Sequence, residues 1–334
     1  MKDIFIKFLF PFYRAHSLLV SGKKHVLMFH RICADKGADS LQLNVELFRE
    51  LLIYILGHGE IVGIDDLFIN TEKNSAVNKY VLTLDDGYED NHSLLFPVLK
   101  EFNVSATIFL ATGGVNRGYL DFDMVQWTLR KSSGKEFAHP LSGISIKPFD
   151  PDEYLSVSRE VIKSLKTISH SARVSFVEDL VSHYSPPPLN RCMLTWDQIR
   201  EMSNSGLVSF GAHTVNHPII SKLTRSEALF EIESSKQDIY DNTGFYPKYF
   251  AYPNGKSCDY NDETVSLLRE TNYCGAFTTV PGFYEDAVDE FNVPRIDVTS
   301  DSITSRNGRF NGEKFSVLSS SLWRYIKQFR DRLS

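Results

Sequence analysis

Six short apolar runs, separated by helix-like stretches, constrain this chain more than any other feature. They are four to seven residues long and rich in β-branched and aromatic side chains: 26–29, 81–84, 106–110, 207–210, 249–252 and 274–280. Their length and flanking turn residues favour buried strands over buried helices. Strands that alternate with helices form a parallel sheet covered by helices, as a barrel or as a doubly wound sheet. The pattern therefore predicts an α/β fold.

The stretches between the runs carry helix signals. Apolar residues recur on one helical face in 44–57 and 91–102. Thr195 precedes a helix that Gly206 ends, and Thr224 opens a helix that reaches about residue 242. Residues 113–190 break the alternation. We expect them to form a helical insertion, either a simple surface excursion or a cap over a site.

Charge and cysteine content narrow the classes of partner and compartment. The 334 residues carry a net charge of −6, which argues against nucleic acid as the main partner. The four cysteines contain no CxxC pair, which favours a reducing compartment. The N-terminal apolar run is short and interrupted by Lys7 and Arg14, so no signal peptide is expected. We therefore expect a cytoplasmic protein.

Polar residues of the types that act in catalysis and metal binding follow four of the predicted strands. Asp85 and Asp86 come after 81–84, and His213 follows the run at 207–210. His30 ends the first run, and Tyr252 ends the fifth. In parallel α/β folds the carboxyl ends of the strands form the rim of the active site. These side chains should therefore converge although they are far apart in sequence.

The chemistry of this set suggests a metal ion. Two adjacent buried carboxylates repel each other unless a cation lies between them. His213 and His217 are four residues apart, a spacing that places both imidazoles on one face of a helical turn. One aspartate and two histidines suit a divalent metal with open coordination positions. The second aspartate then remains available as a base.

With these residues in place, the sequence resembles the polysaccharide deacetylase family, also called the NodB-homology domain or carbohydrate esterase family 4. Its first motif, (T/S)FDDG, is matched by 83–87 with Leu84 in place of Phe, and its second, H(S/T)xxH, by 213–217. The third motif is only approximated by 251–255. Phe29-His30 is similar to the early histidine motif of the branch that includes poly-N-acetylglucosamine deacetylases.

The resemblance implies a distorted (β/α) barrel and a role for each matched residue. Asp86, His213 and His217 would hold the metal, with zinc expected first and cobalt, nickel or manganese acceptable to the same ligands. Asp85 would be the general base. Tyr252 would lend its backbone N–H to the oxyanion. No histidine follows His217, so His30 is the candidate general acid, and Arg295 is the candidate to orient Asp85.

The implied activity is removal of N-acetyl groups from a polysaccharide or glycan. Three alternatives stay open. One is a deacetylase of lipid-linked or small amide substrates, another a carbohydrate-binding module without catalysis, and the third a structural metal site. Structural sites usually have four protein ligands and prefer cysteine, which this set does not provide.

Both ends of the chain are basic. Residues 1–23 mix aromatic residues with lysine and arginine, residues 24–300 form the expected catalytic domain, and residues 301–334 contain a predicted basic amphipathic helix over 314–333. Such a helix can lie in a membrane interface, so the ends are candidates for peripheral contact with the inner face of a membrane. The alternative is that its apolar stripe closes the bottom of the barrel.

Overall fold

A computed structural model describes residues 22–35, 41–69, 77–132, 134–150, 153–285 and 288–320. Within these ranges the strands, in chain order β1 to β12, are Lys24–Phe29, Arg31–Cys33, Gln42–Asn44, Gly59–Ile61, Asn78–Leu84, Ala106–Leu110, Phe137–Ala138, Ser145–Ile146, Val208–Ala212, Tyr249–Ala251, Gly275–Phe277 and Ile296–Asp297. The helices, α1 to α11, are Val45–Leu56, Phe96–Phe102, Thr112–Arg117, Asp121–Lys131, Tyr154–Leu165, His170–Tyr184, Trp196–Asn204, Arg225–Thr243, Asp262–Glu270, Ser300–Ile303 and Gly312–Leu318.

All six predicted strands belong to one parallel sheet. The strand order is β11-β10-β9-β6-β5-β1-β12, and β4 pairs with the beginning of β5. Every pairing in this sheet is parallel. The parallel α/β prediction is therefore confirmed. The short strands β4 and β12 were not predicted, because each contains an acidic residue and neither lies in a continuous apolar run.

The two edges of the sheet approach each other, which makes it a distorted barrel. Phe277 of edge strand β11 forms a parallel bridge with Val293. Three residues later the chain enters β12, which pairs with β1 at the opposite edge. One short segment thus spans the gap between the edges. The (β/α) barrel expected from the resemblance is confirmed.

Both faces of the sheet are buried, as expected for parallel strands. Alternate residues along the strands pack in two different clusters. Val26, Val81 and Phe109 lie in one, together with residues of β10 and β11. Their chain neighbours Leu27, Leu82 and Ile108 lie in the larger cluster, together with the apolar faces of the helices. This double burial explains why the strands read as continuous apolar runs.

Capping residues set the starts of the predicted helices. Thr195 and Thr224 each accept a hydrogen bond from the backbone N–H three residues later, within full capping boxes. Gly244 ends α8 in the left-handed conformation at φ 82°. One difference concerns 91–102, where residues 91–95 form a π-helical turn before α2 begins.

The stretch that interrupts the alternation contains helices α4, α5 and α6 and the antiparallel hairpin β7–β8. These elements surround their own apolar cluster, which includes Val125, Leu129, Phe137, Val161, Phe176 and Leu180. We call residues 113–190 the insertion. It follows β6 and rejoins the barrel before α7, so it leaves and returns near the carboxyl ends of the strands.

Two predictions concern the ends of the chain: the N-terminal segment and the amphipathic helix over 314–333. Both lie largely outside the described residues. The described part of the latter is α11, which ends at Leu318. Phe315 and Leu318, the first two positions of the predicted apolar stripe, are buried in the large core cluster. Among the described residues, no helix combines the length and apolarity needed to cross a bilayer.

Candidate functional site

The predicted site residues converge at the carboxyl ends of four strands of the sheet. β5 ends at Leu84, directly before Asp85 and Asp86, and β9 ends at Ala212, directly before His213. His30 follows β1, and Tyr252 follows β10. Because these strands are parallel members of one sheet, their ends open on the same side of the barrel.

Asp86, His213 and His217 form a compact cluster. Asp86 Oδ1 lies 3.6 Å from His213 Nε2 and 3.4 Å from His217 Nε2. Asp86 and His213 are buried, and His217 is partly exposed. Among the described ranges, this is the group of metal-ligating side chains whose ligand atoms all lie within 4.8 Å of one another.

The three residues fit a divalent metal ion. Metal–ligand bonds of about 2.0–2.1 Å in a tetrahedral zinc site place the ligand atoms about 3.3 Å apart, close to the distances from Asp86 Oδ1. Burial raises the pKa of Asp86 and lowers that of His217 well below its usual value. Asp86 Oδ1 has no hydrogen-bond partner in the described part of the chain. A cation would offset the burial of the carboxylate and accept the neutral imidazole as a ligand.

The two histidines are held in different ways. His213 Nδ1 lies 2.7 Å from the carbonyl of Ala251, so an Nδ1–H donor there leaves Nε2 free for a metal. For His217 Nδ1, the described residues offer no hydrogen-bond partner. Its ring meets the ring of Phe122 edge to face, with centroids 5.7 Å apart. The orientation of His217 therefore depends on its backbone and on ring contacts with Phe122 and with His213, whose ring centroid lies 4.9 Å away.

The backbone around the cluster is unusual, and it corrects one expectation. Asp86, Thr214 and His217 have positive φ values of 75°, 67° and 54°. Residues 213–217 form a loop and not the helical turn expected from the four-residue spacing. In a helix the His217 N–H would bond to the His213 carbonyl, but it donates to Thr214 Oγ1 at 3.0 Å. Strained conformations of this kind persist where the surroundings fix them, often at functional sites.

Asp85 pairs with Arg295 inside the protein. Arg295 Nη1 and Nη2 donate to Asp85 Oδ1 and Oδ2, each at 2.7 Å. Both residues are buried. Burial alone would raise the pKa of Asp85, but the Arg295 charge and hydrogen bonds lower it to about 2. Asp85 is therefore ionised at neutral pH, and Arg295 lies where the sequence analysis expected it.

His30 borders both aspartates. It follows β1, is partly exposed, and its charge would favour the ionised forms of Asp85 and Asp86. The structure thus places His30 beside the predicted base and the metal cluster. The strand register agrees with this, since Phe29 pairs with Leu84 and His30 and Asp85 follow the two strands side by side.

Tyr252 does not offer the donor expected of it. Its backbone N–H donates to the Phe277 carbonyl at 3.0 Å, which extends the pairing of β10 with β11. Its hydroxyl donates to the Phe291 carbonyl at 3.0 Å. The predicted oxyanion role of Tyr252 is therefore wrong in this structure, because the N–H belongs to the sheet.

The insertion supplies residues that the sequence analysis did not identify. Phe122 contacts the His217 ring, and Lys166 Nζ donates to Asn254 Oδ1 at 2.6 Å beside the site. Arg173 donates to the backbone of the His213–His217 loop. For Arg173, the sequence did contain one sign of a buried role. It shares the buried face of α6 with Phe176, Val177 and Leu180, and an arginine on an apolar helix face needs a buried partner.

Comparisons with known proteins agree on one family. A family model described as Polysaccharide deacetylase matches residues 72–138 and 148–276, more than half of the chain. YxkH of Bacillus subtilis (strain 168), which bears the family's name, is 23% identical over 266 residues. That match covers 78% of this chain and 66% of YxkH, so this chain spans just under two thirds of the relative's length.

Two solved structures share the fold. The Streptococcus pyogenes deacetylase PplD, solved in complex with acetate, superposes with a TM-score of 0.57 at 20% identity, covering 85% of this chain and 95% of PplD. IcaB from Ammonifex degensii gives a TM-score of 0.57 at 18% identity, covering 89% of this chain and 97% of IcaB. At such identities the similarity establishes the architecture.

Proposed function

Since the chain belongs to the polysaccharide deacetylase family, we propose that it is a metal-dependent hydrolase that removes N-acetyl groups from a polysaccharide or glycan. The observation that carries the proposal is the pairing of Asp85 with Arg295 directly beside the Asp86, His213 and His217 cluster. An ionised carboxylate next to a three-ligand site is the arrangement needed to activate water for attack on an amide.

Asp86, His213 and His217 would hold the metal, with zinc the first expectation and cobalt, nickel or manganese acceptable. A divalent ion supplies a Lewis acid that polarises an acyl carbonyl and makes water more acidic. Three protein ligands leave positions open for water and substrate, unlike a structural site with four. The ligand set therefore favours a catalytic role.

Asp85 is assigned as the base that takes the proton of the attacking water. Arg295 fixes both carboxylate oxygens and holds the pKa of Asp85 at about 2. A carboxylate this weakly basic can act only on water whose own acidity has been increased, which links its role to the neighbouring ligands. Arg295 acts through Asp85 as a positioning residue.

His30 is assigned as the general acid that protonates the leaving amine. It lies beside both aspartates, and partial exposure gives it access to substrate. A positioned acid of this kind contributes roughly 10²–10⁴-fold to turnover. The products would be acetate and a sugar with a free amine, and the acetate bound to the structurally similar PplD supports acetate as the released acid.

The test is release of acetate and free amine from a panel of N-acetylated glycans, lipid-linked glycans and small amides. The purified full chain is measured after metal removal and after addition of each candidate ion. We expect one amine per acetate, only with metal, and no release by Asp85→Asn. Release from small amides alone would indicate the alternative substrate class. Metal-loaded protein that binds glycan but releases nothing would indicate a binding module.

A further inference from the structure

In the loop that carries His217, the carbonyl groups of the last four residues all accept hydrogen bonds. The Thr214 and Val215 carbonyls accept from the backbone N–H groups of Thr112 and Gly113, at 3.1 and 2.9 Å. The Asn216 carbonyl accepts from Arg173 Nη2, and the His217 carbonyl accepts from Nη1 at 3.3 Å. The start of α3 thus fixes the first half of the loop, and Arg173 of α6 fixes the half that ends in a metal ligand.

Arg173 is itself built into the insertion. It is 4% exposed, and its Nε donates to Asp121 Oδ2 at 2.9 Å. Its Nη2 also lies 3.1 Å from His170 Nδ1. Asp121 begins α4 and Arg173 lies in α6, so two helices of the insertion must pack together before the guanidinium reaches the loop. The planar guanidinium presents its donors from three separate nitrogens in a fixed fork, whereas lysine offers a single nitrogen.

Of the two histidine ligands, His217 depends more on such support. The His213 ring is oriented by the Ala251 carbonyl, but the described residues provide no equivalent partner for the His217 ring. His217 also holds a left-handed backbone at φ 54°, a conformation that needs external restraint. Partners that orient a metal ligand typically change metal affinity by roughly 10–100-fold.

We propose that the Asp121–Arg173 pair of the insertion positions His217 and thereby sets the metal affinity of the site. The insertion then completes the metal centre, in addition to any role as a cover. Asp121 and Arg173 are both positioning residues, since they act through the His217 backbone. This inference rests on the proposed metal binding, and the experiment separates the failure of one from the failure of the other.

The test compares metal affinities of the full chain by competition with a chromophoric chelator, using Zn²⁺ and Co²⁺. Arg173→Met is expected to bind each ion roughly 10–100-fold more weakly than the wild type. Its Co²⁺ visible spectrum, which reports ligand geometry, should also change. Arg191→Met is the matched control. Arg191 likewise donates to main-chain carbonyls, those of Val115 and Leu194, which lie outside the loop.

Thermal unfolding of the metal-free proteins separates positioning from a general structural role. A variant that unfolds earlier but binds metal like the wild type would overturn the proposal. If Arg173→Met does not fold, Arg173→Lys decides, because it keeps a cation for Asp121 without the planar fork. Weakened binding by Arg173→Lys supports the proposal, and unchanged binding overturns it. A wild-type chain that binds neither ion would instead refute the proposed function.

Discussion

Arg295 and Asp85 form a two-point ion pair that lies inside the barrel, with both N–O distances at 2.7 Å. Arg295 Nε also donates to the Thr278 carbonyl at 2.8 Å, which fixes the plane of the guanidinium. The pair links Asp85, at the end of β5, to the segment that closes the barrel. Because either charge alone would be buried without compensation, the two residues act as one unit.

Replacement of Arg295 should therefore damage both stability and the ionisation of Asp85. We expect Arg295→Met to lower the free energy of unfolding by about 3–5 kcal/mol, as when a buried pair loses one partner. Burial would then raise the pKa of Asp85, with only the charges of His213 and His30 left to oppose it. Urea denaturation of metal-free protein measures the loss. The double variant Asp85→Asn/Arg295→Met should recover part of it, and a single variant as stable as the wild type would contradict the argument.

The adjacent aspartates should differ in what their loss removes. Asp86→Asn and His213→Ala are expected to lose both metal and activity, because each removes a ligand. Asp85→Asn is expected to keep metal and lose activity, because its carboxylate faces Arg295. Metal content after dialysis and acetate release are measured on the same samples. Equal metal loss in Asp85→Asn and Asp86→Asn would show that the roles are wrongly divided.

His30→Ala should reduce turnover by roughly 10²–10⁴-fold while metal content is unchanged. The reason is its place beside both aspartates without membership of the ligand cluster. His92→Ala serves as the control. His92 lies away from the site, and its Nε2 is 2.9 Å from a carboxylate oxygen of Glu201. Turnover near the wild-type rate in His30→Ala would place the acid elsewhere.

Much of the barrel could be predicted because strands that are buried on both faces appear in the sequence as continuous apolar runs. The runs at 81–84 and 106–110, for example, lie within fully buried stretches of β5 and β6. The rule that parallel strands end on one side then brought Asp85, Asp86 and His213 together without any contact information. These features are local, or they follow from a general topological rule.

The parts that could not be predicted depend on contacts between distant residues. The N–H of Tyr252 is occupied because β10 continues its ladder with β11, which no motif records. The His213–His217 loop is not a helical turn, because Thr214 and His217 have positive φ values, and Glu231 of α8 helps to hold it by accepting from the N–H groups of Val215 and Asn216. The contact of Arg173 with His217 joins an insertion helix to a barrel loop, 44 positions along the chain.

Gly113 should be indispensable to the metal loop. A Cβ atom on Gly113 would lie 2.7 Å from the Val215 carbonyl oxygen. The backbone N–H of Gly113 donates to this same oxygen. We expect Gly113→Ala to push the loop outward, destabilise the protein by about 1–3 kcal/mol and weaken metal binding. Gly57→Ala is the control, because a Cβ there comes no closer than 3.5 Å to its neighbours. Chelator competition and thermal unfolding report both effects, and equal behaviour of the two variants would contradict the prediction.

Asp123 of α4 should make stability depend on pH. It accepts from the Tyr88 hydroxyl at 3.1 Å and from the Leu120 N–H at 2.8 Å. Burial nevertheless raises its pKa to about 6. An aspartate in an unfolded chain titrates near 3.9. The native state therefore binds this proton more tightly, so its contribution to stability falls as the pH rises from about 4 to about 6.

An asparagine side chain does not titrate, so comparison of the wild type with Asp123→Asn isolates this effect from the constant cost of the substitution. The free energy of unfolding of the wild type minus that of the variant should decrease between about pH 4 and about pH 7. The decrease is on the order of 1–3 kcal/mol, toward the lower end because the side chain is partly exposed to solvent. Urea unfolding in the presence of a chelator measures it without interference from metal binding. A difference that stays constant, or that grows with pH, would show that Asp123 titrates as an ordinary surface carboxylate or is held ionised by Arg31, the cation that opposes the shift.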